Sequence, residues 1–395
     1  MLAATVRVTR DIDAAEEAVQ DAYVQALAAW TRDGVPARPG AWLTTVSRRI
    51  ALNNLRRDRT LQRKLPLLIM AEDTQLTPPV GFPDDRLRLV FTCCHPALSA
   101  EAQVALTLRL ICGVSTPDIA RAFLVSEPAM AARITRAKKK IAAAHIPYAV
   151  PAAAELPGRL DAALTVVHLL YTTGHTAVSG ADLIRDDVAD RALDLARMLH
   201  QLLPAGREAA GLLALLLAHQ ARRDTRTDAD GGLLRLEEQD RSRWDRDQIA
   251  EADRLIVAAL KAGPAGRFTL QAAIAALHAQ ARCYADTDWP QILTLYDALL
   301  TIWPAPVVLL NRAAALSMTE GPQAALAVVE SLEDDGSLAG YHYLPATKAD
   351  LLSRLGRPAE AAEAYQAALA LTSNRAEQEF LIRRMVMARR QASAR

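Results

Sequence analysis

Three stretches of this 395-residue chain carry residue types at spacings that could do chemistry. Asp11, Asp13, Glu16, Glu17 and Asp21 form an acidic run with Gln20 inside it and no basic residue among them. Such a run either solubilises a helix or pairs with a basic surface, an attraction that salt weakens and that acts mainly on association rate. Further on, Arg48, Arg49, Arg56, Arg57, Arg59, Arg63 and Lys64 stand against the single acid Asp58. Guanidinium groups in that density suit phosphate contacts, which supply affinity without sequence information. The third stretch runs from Ser115 to Ile141. Ser115 or Thr116 can cap a helix with Pro117 in its first turn, Leu124 to Ser126 make a turn, and Ser126 caps a second helix, which is helix-turn-helix spacing. In that second helix Met130, Ile134, Ala137 and Ile141 form a core-facing stripe, with Arg133, Arg136 and Lys140 beside it and Lys138 and Lys139 adding charge. A helix docked by its apolar face while presenting Arg and Lys meets the demands of major-groove entry. Glu127, Arg133 and Arg136 are the candidates for base edges or phosphates, and Lys138 to Lys140 for the backbone. The plainer reading is a solvated basic helix in a bundle.

Two other groups invite a chemical reading. Cys93, Cys94 and His95 are adjacent but lack the C-x-x-C spacing of zinc sites, and no second ligand pair follows, so buried structural cysteines are expected. The stretch Asp230 to Asp245 holds carboxylates, arginines, Ser242 and Trp244, yet no nearby histidine completes a nucleophile and base, and no glycine loop has a phosphate pattern. Ser242 instead reads as a helix cap, with Trp244, Ala252, Leu255, Ile256 and Ala259 as the buried stripe. Neither catalytic residues nor a metal or cofactor site are expected.

The elements that must position these residues read as all-α. Alanine- and leucine-rich segments with helical periodicity recur, aromatics are only 5%, and no alternating β-branched run is long enough for a sheet. Prolines and glycines divide the chain into residues 1–60, a linker at 61–85, residues 86–147, a central helical part at 148–265 and a final part at 266–395. In the first part Val19, Ala22, Tyr23, Ala26, Leu27 and Trp30 predict a buried stripe, and two helices flank the turn at Asp33 to Pro36. Leu43, Val46 and Ile50 do the same for the second helix. From about residue 270 a repeat aligns Ala281, Ala314 and Ala349, and Asp288, Gly321 and Gly356, at offsets of 33 and 35. This is the tetratricopeptide period of about 34 residues, three helix pairs suited to a protein or peptide partner or to internal docking.

Charge is asymmetric although the net charge is +1: residues 1–147 hold 20 basic and 14 acidic side chains, residues 148–395 hold 26 and 31. The front part is the nucleic-acid candidate. Four cysteines in a chain this long make no disulfide framework, and the longest apolar stretches, such as Ala209 to Ala218, fall short of the roughly 20 residues that span a bilayer. No signal pattern opens the chain. A cytoplasmic protein without a membrane partner is expected.

Asp11 to Tyr23 resembles region 2.2 of bacterial sigma-70 factors, Trp42-Leu43 with the basic stretch from Ser47 to Arg59 resembles regions 2.3 and 2.4, and the helix-turn-helix resembles region 4. The layout is similar to the extracytoplasmic-function sigma factors. Phe91 to Leu98, and Asp230 to Asp245, resemble hallmarks of the subgroup with a tetratricopeptide-like C-terminal extension. The resemblance implies a non-enzymatic promoter-recognition subunit that binds core RNA polymerase and promoter DNA, with the extension regulating it. It implies core-polymerase binding by Asp13, Glu16, Glu17, Gln20 and Asp21. It also implies minus-ten contacts from Trp42, Arg48, Arg49, Asn53, Arg56 and Arg57, and minus-thirty-five contacts from Ser126, Glu127, Arg133, Arg136 and Lys138, Lys139 and Lys140. Trp42 either stacks on a melted base or is buried under the helix pair. Asp240, Arg241, Arg243 and Trp244 are expected to dock the extension, the first three through ion pairs that hold this segment against the sigma-like domains.

The chain departs from the family pattern at Arg49, where Asn is usual, at Asn53, where Asp is usual, and at Thr172-Thr173 after Tyr171. Only ten residues precede Asp11, fewer than the family's region 2.1 helix, which implies a shortened first domain. The competing reading is a helical-repeat scaffold with a degenerate sigma-like half.

Overall fold

The computed structural model describes residues 1–64, 85–123, 125–152, 154–176, 179–180, 185–229 and 231–393. Most of the expected linker at 61–85 therefore lies outside the described residues. The fold is all-α, with two compact units, Met1–Val166 and Val167–Arg395. Among the described residues no helix is long and apolar enough to cross a membrane.

The first unit opens with a helix that periodicity did not predict, α1 (Leu2–Thr9), followed by α2 (Ile12–Asp33) and α3 (Pro39–Lys64). Eight residues are too few to show a stripe, and α1 is held by tertiary contacts: Val6 is buried, and the Thr5 hydroxyl lies 3.1 Å from that of Ser47 on α3. Then come α4 (Asp85–Cys93), α5 (Ala100–Leu110), α6 (Thr116–Ala122) and α7 (Glu127–Ala143). Leu87, Leu89, Val90, Phe91, Cys93 and Cys94 are buried, so the Phe91 to Leu98 motif is core and turn. Gln103 ties that turn down by donating to the His95 and Leu98 carbonyls at 3.0 and 3.1 Å. The Tyr148 hydroxyl lies 2.7 Å from the carbonyls of both Ala3 and Asp85, joining α1 to α4.

Helix α8 (Leu156–His175) spans the division between the units, and α9 (Asp186–Leu202), α10 (Arg207–Gln220) and α11 (Arg246–Lys261) follow. Leu212 to Ala218 on α10 are all buried, so this helix is apolar all round and forms the centre of the second unit. It lies against α12 (Arg267–Gln280) at backbone distance, because a Cβ at Gly211 would stand 2.7 Å from the Thr269 nitrogen. The free N-terminus of α12 is satisfied from outside: Glu208 accepts from the Phe268 amide at 2.8 Å and the Thr269 hydroxyl at 2.6 Å.

Pairs of helices then succeed one another: α12 with α13 (Trp289–Ile302), α14 (Pro306–Thr319) with α15 (Pro322–Asp335), and α16 (Tyr343–Arg354) with α17 (Pro358–Leu371), closed by α18 (Arg375–Ser393). Asp288, Gly321 and Gly356 stand at the turns within the pairs. The latter two have φ of 93° and 69°, the left-handed region that favours glycine. A two-residue parallel pairing of Ser179-Gly180 with Ser373-Asn374 is the one sheet among the described residues.

Candidate functional site

Helix α2 starts where Asp11 accepts the Ala14 amide at 2.8 Å and buries Ile12, Ala15, Ala18, Ala22 and Ala26. That stripe keeps Ala22 and Ala26 of the expected one and corrects Tyr23 and Leu27. Tyr23, Val24 and Leu27 are 51%, 66% and 72% exposed, while alanines face inward. The reason is distance: α1 and α3 approach α2 closely enough that only small side chains fit between them. The large side chains consequently form an outward apolar patch continuing from Glu17, Gln20 and Asp21, all exposed. The unbroken run of alanines at 15, 18, 22 and 26 was the available signal for this register.

Asp13 and Glu16 of the acidic run pair instead with α7 and α5. Lys138 Nζ lies 2.9 Å from Asp13 Oδ1 and pairs also with Glu16, and Arg109 of α5 approaches Glu16 at 3.6 Å. Lys138 is largely covered, and burial alone would lower its pKa, but its bonds to Glu16 and Asp13 outweigh that and hold it charged above its ordinary value. Asp13 and Glu16, expected to face one partner, are thus engaged with Lys138, expected to face another.

On α7 the structure agrees with the periodicity residue by residue: Met130, Ile134, Ala137 and Ile141 are buried, and Ser126 accepts from the Ala129 amide. Glu127, Arg136, Lys139 and Lys140 are exposed. Arg133 is half-buried, its guanidinium 5.9 Å from the Phe123 ring. Arg48, Arg49, Asn53 and Arg56 are exposed on α3, opposite buried Leu43, Ser47 and Ala51. The side chains of Arg57, Arg59, Arg63 and Lys64 lie outside the described residues. Trp42 is half-buried with its ring 5.5 Å from that of Trp30, in a cluster with Ala22, Ala26 and Leu43, which is the packed arrangement.

Residues 2–60 match the family model for sigma-70 region 2 and residues 88–141 that for sigma-70 region 4, while residues 159–260 match a family of unknown function, DUF6596. The uncharacterized protein R00370 of Rhizobium meliloti (strain 1021) is 43% identical over 387 residues, covering 96% of this chain and 91% of that protein. The chain belongs to one family with it, and its front unit carries the two sigma-70 regions. No solved structure matches the chain.

Behind the sigma-70 regions in the chain, the stretch Gly231 to Asp245 works as a strap inside the second unit. Arg226 donates to the His175 carbonyl and, at 3.1 Å, to the Thr176 hydroxyl. Arg241 donates to the His278 and Ala281 carbonyls at 2.7 and 2.8 Å and lies 4.8 Å over Trp244. Trp244 is buried and donates to the Thr225 hydroxyl at 2.8 Å. Among the described residues neither Arg241 nor Arg243 makes an ion pair, and Asp240 is occupied by Ser242 at 2.6 Å. The cap of α11 is Asp245 rather than Ser242, because its carboxylate reaches the Asp247 and Gln248 amides at 3.0 and 3.1 Å. Cys93 and Cys94 are buried, and burial pushes the Cys94 thiol up to about 12 and Cys93 well above its ordinary value. Among the described residues no group of three His, Cys, Asp or Glu side chains is placed to hold a metal.

Proposed function

We propose that the chain is a promoter-recognition subunit of bacterial RNA polymerase, of the extracytoplasmic-function type, in which a tetratricopeptide-like extension regulates the front unit. The observation that carries this reading is the outward face of α2. Glu17, Gln20 and Asp21 run into Tyr23, Val24 and Leu27 without cover, inside the residues that match sigma-70 region 2. A mixed acidic and apolar face of this kind suits a basic, partly apolar partner helix. Asp13 and Glu16 join that face once Lys138 lets go of them. In the same step Lys138 joins Arg133, Arg136, Lys139 and Lys140 on α7, where Arg side chains suit guanine edges and Lys side chains the phosphates of a minus-thirty-five element. Arg48, Arg49, Asn53 and Arg56 on α3, with Arg57, form the minus-ten surface, and Trp42 supports that surface from its packed cluster with Trp30. No step in this role requires catalysis by the chain, and its place is the cytoplasm. The tetratricopeptide-like pairs from α12 to α17 are the surface for a protein or peptide partner.

The test is retention of the full chain on core RNA polymerase across a salt series, followed by transcription from promoter DNA. Glu17→Lys combined with Leu27→Ser is expected to weaken retention by about tenfold or more at moderate salt. Unchanged retention of that variant would remove α2 as the docking helix, and failure of the wild-type chain to bind core would overturn the reading.

A further inference from the structure

The second unit holds a half-open cavity of about 530 Å³, within the range of small-molecule sites. Its walls come from α8, α10, the strap, α12, α13 and α14, and they are largely apolar, with Trp303 and Tyr296 among the larger side chains. One cation lines it: Arg222, at the end of α10. Among the described residues Arg222 pairs with no carboxylate, and its guanidinium lies at hydrogen-bond distance, 3.3 Å, from His219. His168, His219 and His278 line the same cavity, far apart in sequence and brought together by packing.

An unpaired guanidinium in an apolar enclosure costs stability unless something compensates it. The neighbours make matters worse, since Arg226 and Arg241 add positive charge nearby, and burial together with these charges pulls the Arg222 pKa down to about 10. The histidines supply no counter-charge. Burial and the nearby arginines hold His168 and His278 down at about 4 and His219 well below its ordinary value, so all three are neutral at physiological pH. Among the described residues Arg222 is the one cation in the lining itself, and a guanidinium set in largely apolar walls matches a carboxylate carried on an apolar body.

We propose that this cavity binds a small carboxylate with an apolar aliphatic or aromatic body, its carboxylate on Arg222 and its body against Tyr296 and Trp303. The neutral histidines are hydrogen-bonding partners for the carboxylate's second oxygen. Formation of the site needs the strap, since Leu236 closes one side of the cavity.

The experiment measures binding to the full chain by calorimetry and thermal shift with octanoate and cinnamate, using octanamide and cinnamamide as uncharged counterparts. Polymerase and DNA are absent, so its failure leaves the promoter reading standing. The acids are expected to bind and raise Tm while the amides do not, and Arg222→Gln is expected to weaken the acids by about tenfold or more, with Arg222→Lys recovering part of the loss. Asn311→Trp, on an exposed position at the rim, blocks entry without touching Arg222 and is expected to weaken the acids also. Amides binding as well as acids, acids unaffected by Arg222→Gln or by Asn311→Trp, or neither acid shifting Tm at millimolar concentration would each overturn the proposal.

Discussion

In the front unit Lys138, Asp13, Glu16 and Arg109 meet across three helices at a surface that water and salt can reach, with Asp13 71% exposed. In the second unit Arg226 and Arg241 direct their charge at carbonyl oxygens in the interior, and His168, His175, His219 and His278 are kept neutral. The first arrangement is reversible by design of its physics, because an ion pair near solvent is worth little and is screened within a Debye length of roughly 8 to 10 Å. The second can be undone only by unfolding, because each buried donor would be left without a partner. The comparison teaches which region can exchange partners and which serves as a fixed scaffold.

The largest expected effect breaks the scaffold. Trp244→Ala removes a buried ring together with the Thr225 hydrogen bond and the stacking of Arg241. It is expected to cost about 3 to 5 kcal/mol in urea unfolding, independent of salt. A loss of below about 1 kcal/mol would show that the strap contributes little to the unit.

Acid should then separate the two units. A histidine whose folded pKa is depressed takes up its proton on unfolding, so its stabilisation is complete above its ordinary value of 6.5 and is lost as pH falls from there toward the folded value of about 4 for His168 and His278. Glu377 adds a later loss. Burial alone would raise its carboxyl, but bonds from His342, Tyr343 and Thr372 hold it below the ordinary 4.5, so that contribution disappears as pH falls below that range. Hydrogen exchange followed by mass spectrometry is expected to show residues 185–393 opening several degrees earlier at mildly acidic pH than at neutral pH. Equal protection at both would contradict the neutral interior.

The surface pairing gives smaller, salt-dependent changes. Lys138→Glu sets a third acid against Asp13 and Glu16 and is expected to cost about 1 kcal/mol at low salt. Exchange in α2 and α7 should rise, the difference should fade at high salt, and association with core polymerase should speed up. An unchanged exchange pattern would mean that the two helices are held by apolar contacts alone. Arg109→Ala loses one looser pair and is expected to cost less than about 0.5 kcal/mol in the same measurement.

The amphipathic pattern of α7 was legible in the sequence because Met130, Ile134, Ala137 and Ile141 face one local core, and a single helix needs only its own period to declare its buried side. The helix-turn-helix spacing and the turns at Asp288, Gly321 and Gly356 were legible for the same reason: caps and glycines with positive φ are local requirements. The inward face of α2 was legible only in part, through the spacing of Ala15, Ala18, Ala22 and Ala26. Whether Ala22 or Tyr23 points inward depends on how near α3 approaches, and that distance is a property of the packed unit. Arg241 looked like an ion-pair residue, since sequence shows its charge but not the His278 and Ala281 carbonyls at 2.7 and 2.8 Å.

By itself, then, the sequence determined the helical content, the positions of turns and caps, and the cationic α7, all of which rest on interactions within a few residues. Only the tertiary structure decided that Lys138 pairs with Asp13 and Glu16, and that His168, His219, Arg222 and His278 line one cavity. Lys138 lies more than a hundred residues from Asp13 and Glu16, and His168, His219 and His278 lie tens of residues from one another, where burial keeps the histidines neutral.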